Sequence, residues 1–297
     1  MANLKEIRNR IASVTSTRQI TSAMKMVSAA KLRRAQDAIS RQRPYTDKLK
    51  NILSGLTSTL QVNDENIYVR ERPLERVLLV VATSNKGLCG AFNMNVIKHT
   101  LKLIHEEYPE LYEENRLNMI IIGKKANEFF RSRKYRILSS YDELYDNLTF
   151  DNVVPVIENI MGSYVKGEYD RVEIIYNQFK NAAVQIVMRE QFLPLKLEHE
   201  EDEDAERQEL PYDYIFEPSK DDLLSDLIPR SLKMQFYKTL LDSHASEHGA
   251  RMTAMHKASD NATELLKELR LSYNKARQAS ITNEILEIVG GAEALKG

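Results

Sequence analysis

ANLKEIRNRIASVTSTRQITSAMKMVSAAKLRRAQDAISRQR, residues 2–43, contains neither glycine nor proline. Those two residues punctuate helices, so an uninterrupted run of this length reads as one long helix. Its apolar positions Leu4, Ile7, Ile11 and Val14 follow the 3, 4, 3 spacing of a coiled-coil seam. The strict register then meets Arg18, Thr21, Lys25 and Ser28, which are polar. Apolar residues continue on a displaced stripe of Ile20, Ala23, Met24 and Val27, before Leu32, Ala35 and Ile39 resume the first seam. The pattern predicts a local shift of register. Pro44 is expected to kink or break the helix, and Gly55 to lie near its end.

The other end of the chain reads the same way. Between Arg230 and Val289 there is one glycine, Gly249, and no proline. One seam runs Met255, Ala258, Ala262, Leu265, Leu269, Ala276; a second runs Ile281, Ile285, Ile288, Ala292, Leu295. At about 1.5 Å per residue, the two terminal runs reach roughly 60 to 90 Å. A compact chain of this size has a radius of gyration of only about 19 Å. The expectation is a rod carrying a globular domain. A compact inserted domain brings its two connections close together, so the helices should pair antiparallel. The longer last helix should then project past the first as a single helix.

The middle of the chain changes period. RVLLVVATS (76–84) and LNMIIIG (117–123) read as buried strands, and RVEIIYNQF (171–179) and AVQIVMREQFLPL (183–195) as two more. YDYIFEP (212–218) reads as an edge strand. Amphipathic helices are expected to about Tyr108, from Lys124, and over 150–166. Alternating strands and helices predict a largely parallel, Rossmann-like sheet. The fold class is therefore α/β: a long antiparallel coiled coil with an inserted Rossmann-like domain. The expected divisions are 1–60, 74–218 and 219–297.

Composition narrows the function. Charged residues make up 29% of the 297 and aromatics 7%, with no tryptophan, which favours exposed helix over a large core. No run of about 18 apolar residues is present to span a membrane. The opening MANLKEIRNRI lacks the apolar stretch of a secretory signal. The single cysteine, Cys89, rules out an internal disulfide and suits a reducing compartment. The net charge of −1 hides twelve Lys/Arg against three acids in residues 1–50, a local +9. Residues 198–209, EHEEDEDAERQE, carry eight acids and one arginine. A basic helix suits nucleic acid, an anionic membrane or an acidic protein.

Catalytic chemistry finds no constellation. The loop NKGLCGAFN (85–93) invites comparison with a phosphate cradle, but it has neither G-x-G-x-x-G nor G-x-x-x-x-G-K-[ST], and a tight strand-to-helix turn explains its glycines. Cys89 has no base paired to it by sequence and reads as a small buried residue. His244 and His248 are spaced i, i+4, a metal-binding interval, but without H-E-x-x-H or a third ligand they read as a solvent-facing pair. No cofactor or metal is expected.

Several stretches carry a resemblance that spans the chain. They are IRNRIASVTSTRQITSAMKMVSAAKLRRAQ (7–36), SNKGLCGAFN (84–93), EHGARMTAMHKASDNA (247–262), YNKARQASIT (273–282) and ITNEILEIVGGAEA (281–294). In this order they resemble the gamma subunit of the F-type ATP synthase. The resemblance implies a non-catalytic rotor. In that family the coiled coil threads a ring of alternating alpha and beta subunits. The globular foot sits on the membrane c ring and contacts the epsilon subunit. Ion flow turns the shaft, and the shaft drives the catalytic sites of the beta subunits through ATP synthesis.

By motif, Met24 matches the shaft methionine facing a beta subunit's acidic lever loop. Arg251, Gln278, Thr282 and Glu284 match residues that hydrogen-bond the beta catch loop. Tyr214, Phe216 and Glu217 match the foot near the c ring and epsilon. The chain lacks the two-cysteine insertion of chloroplast-type members and an organellar presequence, which points to a bacterial member with a peripheral place on the cytoplasmic face of the inner membrane; the family resemblance implies a proton-translocating enzyme. Glu293 and Lys296 depart from the small apolar tip usual in the family. The alternative reading from the residues is a helical scaffold or nucleic-acid-binding adaptor using the basic first helix. Stacking recognition is disfavoured there, because Tyr45 is the only aromatic in the first fifty residues.

Overall fold

The computed structural model describes residues 4–58, 66–195 and 220–294. The long helices are α1, Leu4–Ser58, and α6, Lys220–Ala294. Between them lie β1 (Val77–Ala82), α2 (Phe92–Glu106), α3 (Pro109–Glu113), β2 (Leu117–Ile122), α4 (Lys124–Ser132), β3 (Ile137–Ser140), a 3₁₀ turn (Glu143–Tyr145), α5 (Phe150–Val165), β4 (Arg171–Phe179) and β5 (Gln185–Leu193). The chain divides into two compact units: residues up to Ala29 with those from Arg251 on, and Ala30–Ala250. Both long helices contribute to both units.

In the first unit α1 and α6 pair antiparallel. Arg8 donates to the Tyr273 hydroxyl at 2.8 Å, and the Thr21 and Ser259 hydroxyls lie 2.7 Å apart. Thirteen residues up α1 thus correspond to fourteen down α6. The expected register shift does not occur. Thr21 and Ser28 occupy seam positions and are buried, while Ile20 and Val27 are exposed. Both are small, and the Thr21 hydroxyl finds partners. Thr21 Oγ1 donates back to the Arg18 carbonyl at 3.0 Å and also meets Ser259. On α6 the seam takes Met255, Ala262 and Leu266, all buried. Leu265, the expected seam residue, is exposed. Two adjacent leucines make that choice undecidable from periodicity alone. From Ile281 onward every described α6 side chain is exposed, so this end of α6 has no α1 partner.

Pro44 does not end α1, which runs on to Ser58. Proline removes one i→i−4 bond and leaves the carbonyl of Ser40 without its amide. Pro44 and Ser40 are both exposed, so water can satisfy that carbonyl.

The second unit is built on a five-stranded sheet in the order β3-β2-β1-β4-β5. β1, β2, β3 and β4 are parallel, and β5 returns antiparallel to β4 as an edge. The strands at its centre, β1 and β2, are buried throughout, which is why they read as apolar runs, with Asn118 of β2 the exception, bonded to the Tyr169 hydroxyl. Alternation still sorts their side chains. Leu78, Val80 and Ala82 face a core made with Val156, Ile157 and Ile160 of α5, Leu49 and Leu53 of α1, and Leu232, Phe236 and Leu240 of α6. Val77, Leu79 and Val81 face the opposite core with Val96, Ile97 and Ile104 of α2 and Phe130 of α4. Helices on both faces make this a doubly wound, Rossmann-like arrangement. The sequence reading omitted β3, a four-residue edge with only partial burial. The segment 212–218 lies outside the described residues.

α6 behaves differently in this unit. Over residues 239–251 every side chain is buried except the half-exposed His244. A helix enclosed on all sides is normally apolar all round. This one carries Asp242, Ser243, Ser246, Glu247, His248 and Arg251. Gly249 is required by close approach: a Cβ there would lie 3.2 Å from the Ala182 Cα and 3.3 Å from the Phe179 ring, in the β4–β5 hairpin.

Candidate functional site

An open parallel sheet binds ligands outside the carboxyl ends of its strands, where the winding direction reverses. Here that point lies between β1 and β4, beside the loop Thr83–Ala91. Ser84 is the hub of the loop. Its amide and hydroxyl both donate to Asn93 Oδ1, at 2.9 and 3.0 Å, and its hydroxyl also lies 2.7 Å from the Lys86 carbonyl. Cys89 Sγ accepts from Asn93 Nδ2 at 3.2 Å. Gly90 and Leu88 both adopt φ of +61°. The leucine is thereby held in a conformation that costs a non-glycine residue about 1 kcal/mol, with its side chain 64% exposed.

Part of the crevice is filled. Asn177 Nδ2, at the end of β4, donates to the Phe92 carbonyl at 3.1 Å. Cys89, Phe92 and Ala250 of α6 close into a small apolar cluster. Gly90, with its positive φ between β1 and α2, serves a tight turn, as the sequence reading held. Cys89 is buried, with Ser84, Lys86 and Asn93 within reach of its sulfur.

The histidine pair contradicts its sequence reading. His248 is buried and His244 half-buried, and their Nε2 atoms share a hydrogen bond of 3.0 Å. The Tyr145 ring stacks on His244 at 5.6 Å and 11°. Polarity and helical spacing suggested solvent. Enclosure of this stretch of α6 by the α/β unit overrode both. Among the described residues no three His, Cys, Asp or Glu side chains come together as a metal centre.

Two buried charge clusters were not legible beforehand. Arg189 of β5 donates to Glu173 of β4 at 2.9 and 2.7 Å, to Glu107 at 2.6 Å and to the Tyr108 hydroxyl at 3.0 Å. Glu173 is 2% exposed, and its charge is tolerated because a guanidinium neutralises it. Beside the opposite core, Glu190 of β5 accepts from Tyr176 and Gln235, while Asp242 of α6 lies nearby. Burial, with the Glu190 charge adding and Lys238 opposing, pushes the Asp242 carboxyl up to about 6. Each cluster joins residues far apart in sequence, so no local pattern could announce it.

The residues singled out on the long helices fall into separate settings. Met24 is half-buried on α1. Gln278, Thr282 and Glu284 are exposed on the unpaired end of α6. Thr282 donates to the Gln278 carbonyl at 2.9 Å, and Ser280 to Glu284 at 3.3 Å. Beside them Ile281, Ile285, Leu286, Ile288 and Val289 are exposed, Ile288 by 72%. Arg251 stands apart from this group. It is 6% exposed and lies 27 residues away, about 40 Å along the helix. Tyr214, Phe216 and Glu217 lie outside the described residues. A solvent-exposed apolar stripe of this kind marks an interaction surface rather than a reaction centre. No described helix is long and apolar enough to cross a membrane.

Known proteins resemble this chain over nearly its whole length. The sequence profile described as ATP synthase matches residues 3–295. An ATP synthase gamma chain from Cytophaga hutchinsonii is 55% identical over 301 residues, covering 99% of both chains. One from Flavobacterium johnsoniae is 56% identical over 298 residues, covering all of both. Among solved structures, a chain of the Euglena gracilis mitochondrial ATP synthase rotor aligns with a TM-score of 0.65 at 23% identity, over 94% of this chain and 98% of that one. A chain from the central stalk and c-ring of the Tetrahymena thermophila enzyme aligns at 0.58 and 23%, over 81% of this chain and 99% of that one. At that identity the structural likeness speaks for the fold.

Proposed function

This chain belongs to the family of ATP synthase gamma chains, and from that premise we propose how its two units work as the central-stalk rotor of an F-type ATP synthase. The rotor carries no catalytic residue. It couples rotation of the membrane c ring to conformational cycling of catalytic sites on other subunits. The observation that carries the reading at residue level is the end of α6. Ile281, Ile285, Ile288 and Val289 form an apolar stripe on a helix that α1 leaves uncovered. We assign that stripe to the interior of the alpha and beta ring.

A helix pair inside a ring of alternating alpha and beta subunits cannot present the same face to each. At any rotary angle Met24, Gln278, Thr282 and Glu284 touch each beta subunit differently. Only such differential contact can bias an open–closed equilibrium. A contact made equally to every beta subunit shifts nothing. The basic α1, +9 over its first fifty residues, suits acidic loops on beta, attracted over about a Debye length. Arg251 is enclosed by its own chain, so its contribution to the catch-loop contact requires it to reach past that cover or to hold α6 in place. The α/β domain, within 74–218, would face the c ring and epsilon through Tyr214, Phe216 and Glu217. The helices would span 1–60 and 219–297. The subunit would lie on the cytoplasmic face of a bacterial inner membrane as a peripheral protein, driven by protons.

The test is recovery of the complex. The chain is tagged within the acidic segment 198–209 and withdrawn from native membranes in mild detergent. The eluate is then assayed for ATPase and identified by mass spectrometry. Alpha, beta, epsilon and c-type subunits with ATP turnover are the expected result. Isolation alone, or with nucleic acid, with the tag shown to be accessible, would overturn the assignment of partners.

A further inference from the structure

We propose that His244 and His248 form a two-imidazole chelating site for a borderline divalent transition-metal ion of the Ni²⁺, Cu²⁺ or Zn²⁺ class. The spacing i, i+4 stacks the two rings on one face of α6, and the structure shows their Nε2 atoms converging to 3.0 Å. With metal–nitrogen bonds of about 2.0–2.1 Å, two nitrogens at that separation subtend roughly 94° at a shared ion. That is the cis angle of an octahedral or square-planar centre and is tighter than a tetrahedron requires. The ion would replace the proton now shared by the two rings. Little rearrangement is needed, because the rings already stand 82° apart with centroids 4.5 Å from each other.

Three further observations favour a built site over two chance neighbours. Stacking on Tyr145 sets the plane of the His244 ring. His248 is enclosed by the fold, while the half-exposed His244 leaves a route for an ion and its waters. Glu247, buried next to His248, places negative charge close by; its field reaches Tyr145, whose hydroxyl is raised chiefly by burial and further by that carboxylate. Imidazole nitrogen selects the first-row transition ions over Mg²⁺ and Ca²⁺, which prefer oxygen. With no third His, Cys, Asp or Glu ligand among the described residues, water completes the shell. Binding is therefore reversible, and its effect is to clamp one turn of α6 inside the α/β unit.

The experiment uses the untagged full chain with NiCl₂, by calorimetry and by thermal unfolding, with EDTA as the reversal. The wild type should bind one ion and melt about 2–4 °C higher near saturation. His248→Gln and His244→Gln should each abolish the shift, whereas His105→Gln, an exposed histidine elsewhere, should keep it. Should His248→Gln fail to fold by circular dichroism, the half-exposed His244→Gln decides. No ion bound by the wild type, a shift undiminished in both variants, or an equal response to MgCl₂ would each overturn the assignment.

Discussion

Asp242→Asn tests how the α/β unit holds a carboxyl group away from water. Asp242 is 9% exposed on the enclosed part of α6, with the charge of Glu190 beside it and Lys238 in partial compensation. Its carboxyl titrates near 6 in the fold against 3.8 in the unfolded chain. At about 1.4 kcal/mol per pH unit, that difference costs the folded state up to about 3 kcal/mol once the group is ionised. The sign follows from proton uptake. Between 3.8 and 6 the folded chain holds a proton that the unfolded chain has lost, so stability falls as pH rises through that window. Below 3.8 both states are neutral at this position, and the full stability is present. Asparagine keeps the volume and never ionises. The variant should therefore be more stable than wild type at pH 7.5 by up to about 3 kcal/mol, raising the urea midpoint by about 1 M. Below about pH 4 the gap should close. With no tryptophan in the chain, far-ultraviolet circular dichroism or tyrosine fluorescence follows the unfolding. A variant no more stable than wild type at pH 7.5, or a gap that does not change with pH, would show that the Asp242 carboxylate is solvated or paired in solution and that this cost is absent.

Arg189→Ala leaves Glu173 buried without its guanidinium and should destabilise the chain by about 3–5 kcal/mol in urea unfolding at pH 7; a loss under about 1 kcal/mol would mean the ion pair is not what holds β5 to the sheet. Gly123→Ala should yield little folded protein, since φ is +100° and a Cβ would collide with the Thr83 carbonyl, a cost above about 4 kcal/mol; normal yield and melting temperature would contradict the close approach of α4 to β1. Met24→Lys should assemble normally yet lower the ratio of ion pumping to ATP hydrolysis in membrane vesicles, by adding a cation to the position proposed to face beta; unchanged coupling would remove Met24 from that contact.

What the sequence could determine was whatever depends on neighbours along the chain. Helical period and the absence of breakers marked α1 and α6. Short runs rich in apolar residues marked β1, β2 and β4, because a strand buried on both faces carries apolar residues at most positions. The motif order that identifies the gamma chain is likewise linear. The sites were less legible. Gln278, Thr282 and Glu284 were singled out as motif positions, and the structure leaves them exposed beside an apolar stripe. Cys89 was correctly read as buried.

The tertiary structure decided what depends on partners from elsewhere in the chain. Only the antiparallel pairing shows that Thr21 and Ser28 hold the seam while Ile20 and Val27 face outward; the Thr21 hydroxyl, bonded to Ser259 and to its own helix, costs little to bury. Only the register separates Leu265 from Leu266. The polar stretch 239–251 reads as a solvated helix in one dimension, yet it is enclosed because the sheet and its hairpin close around it at Gly249. His244, His248, Asp242 and Arg251 all owe their setting to that enclosure. Burial belongs to a three-dimensional neighbourhood, and when a polar residue is buried against partners a hundred positions away, no local period carries the signal.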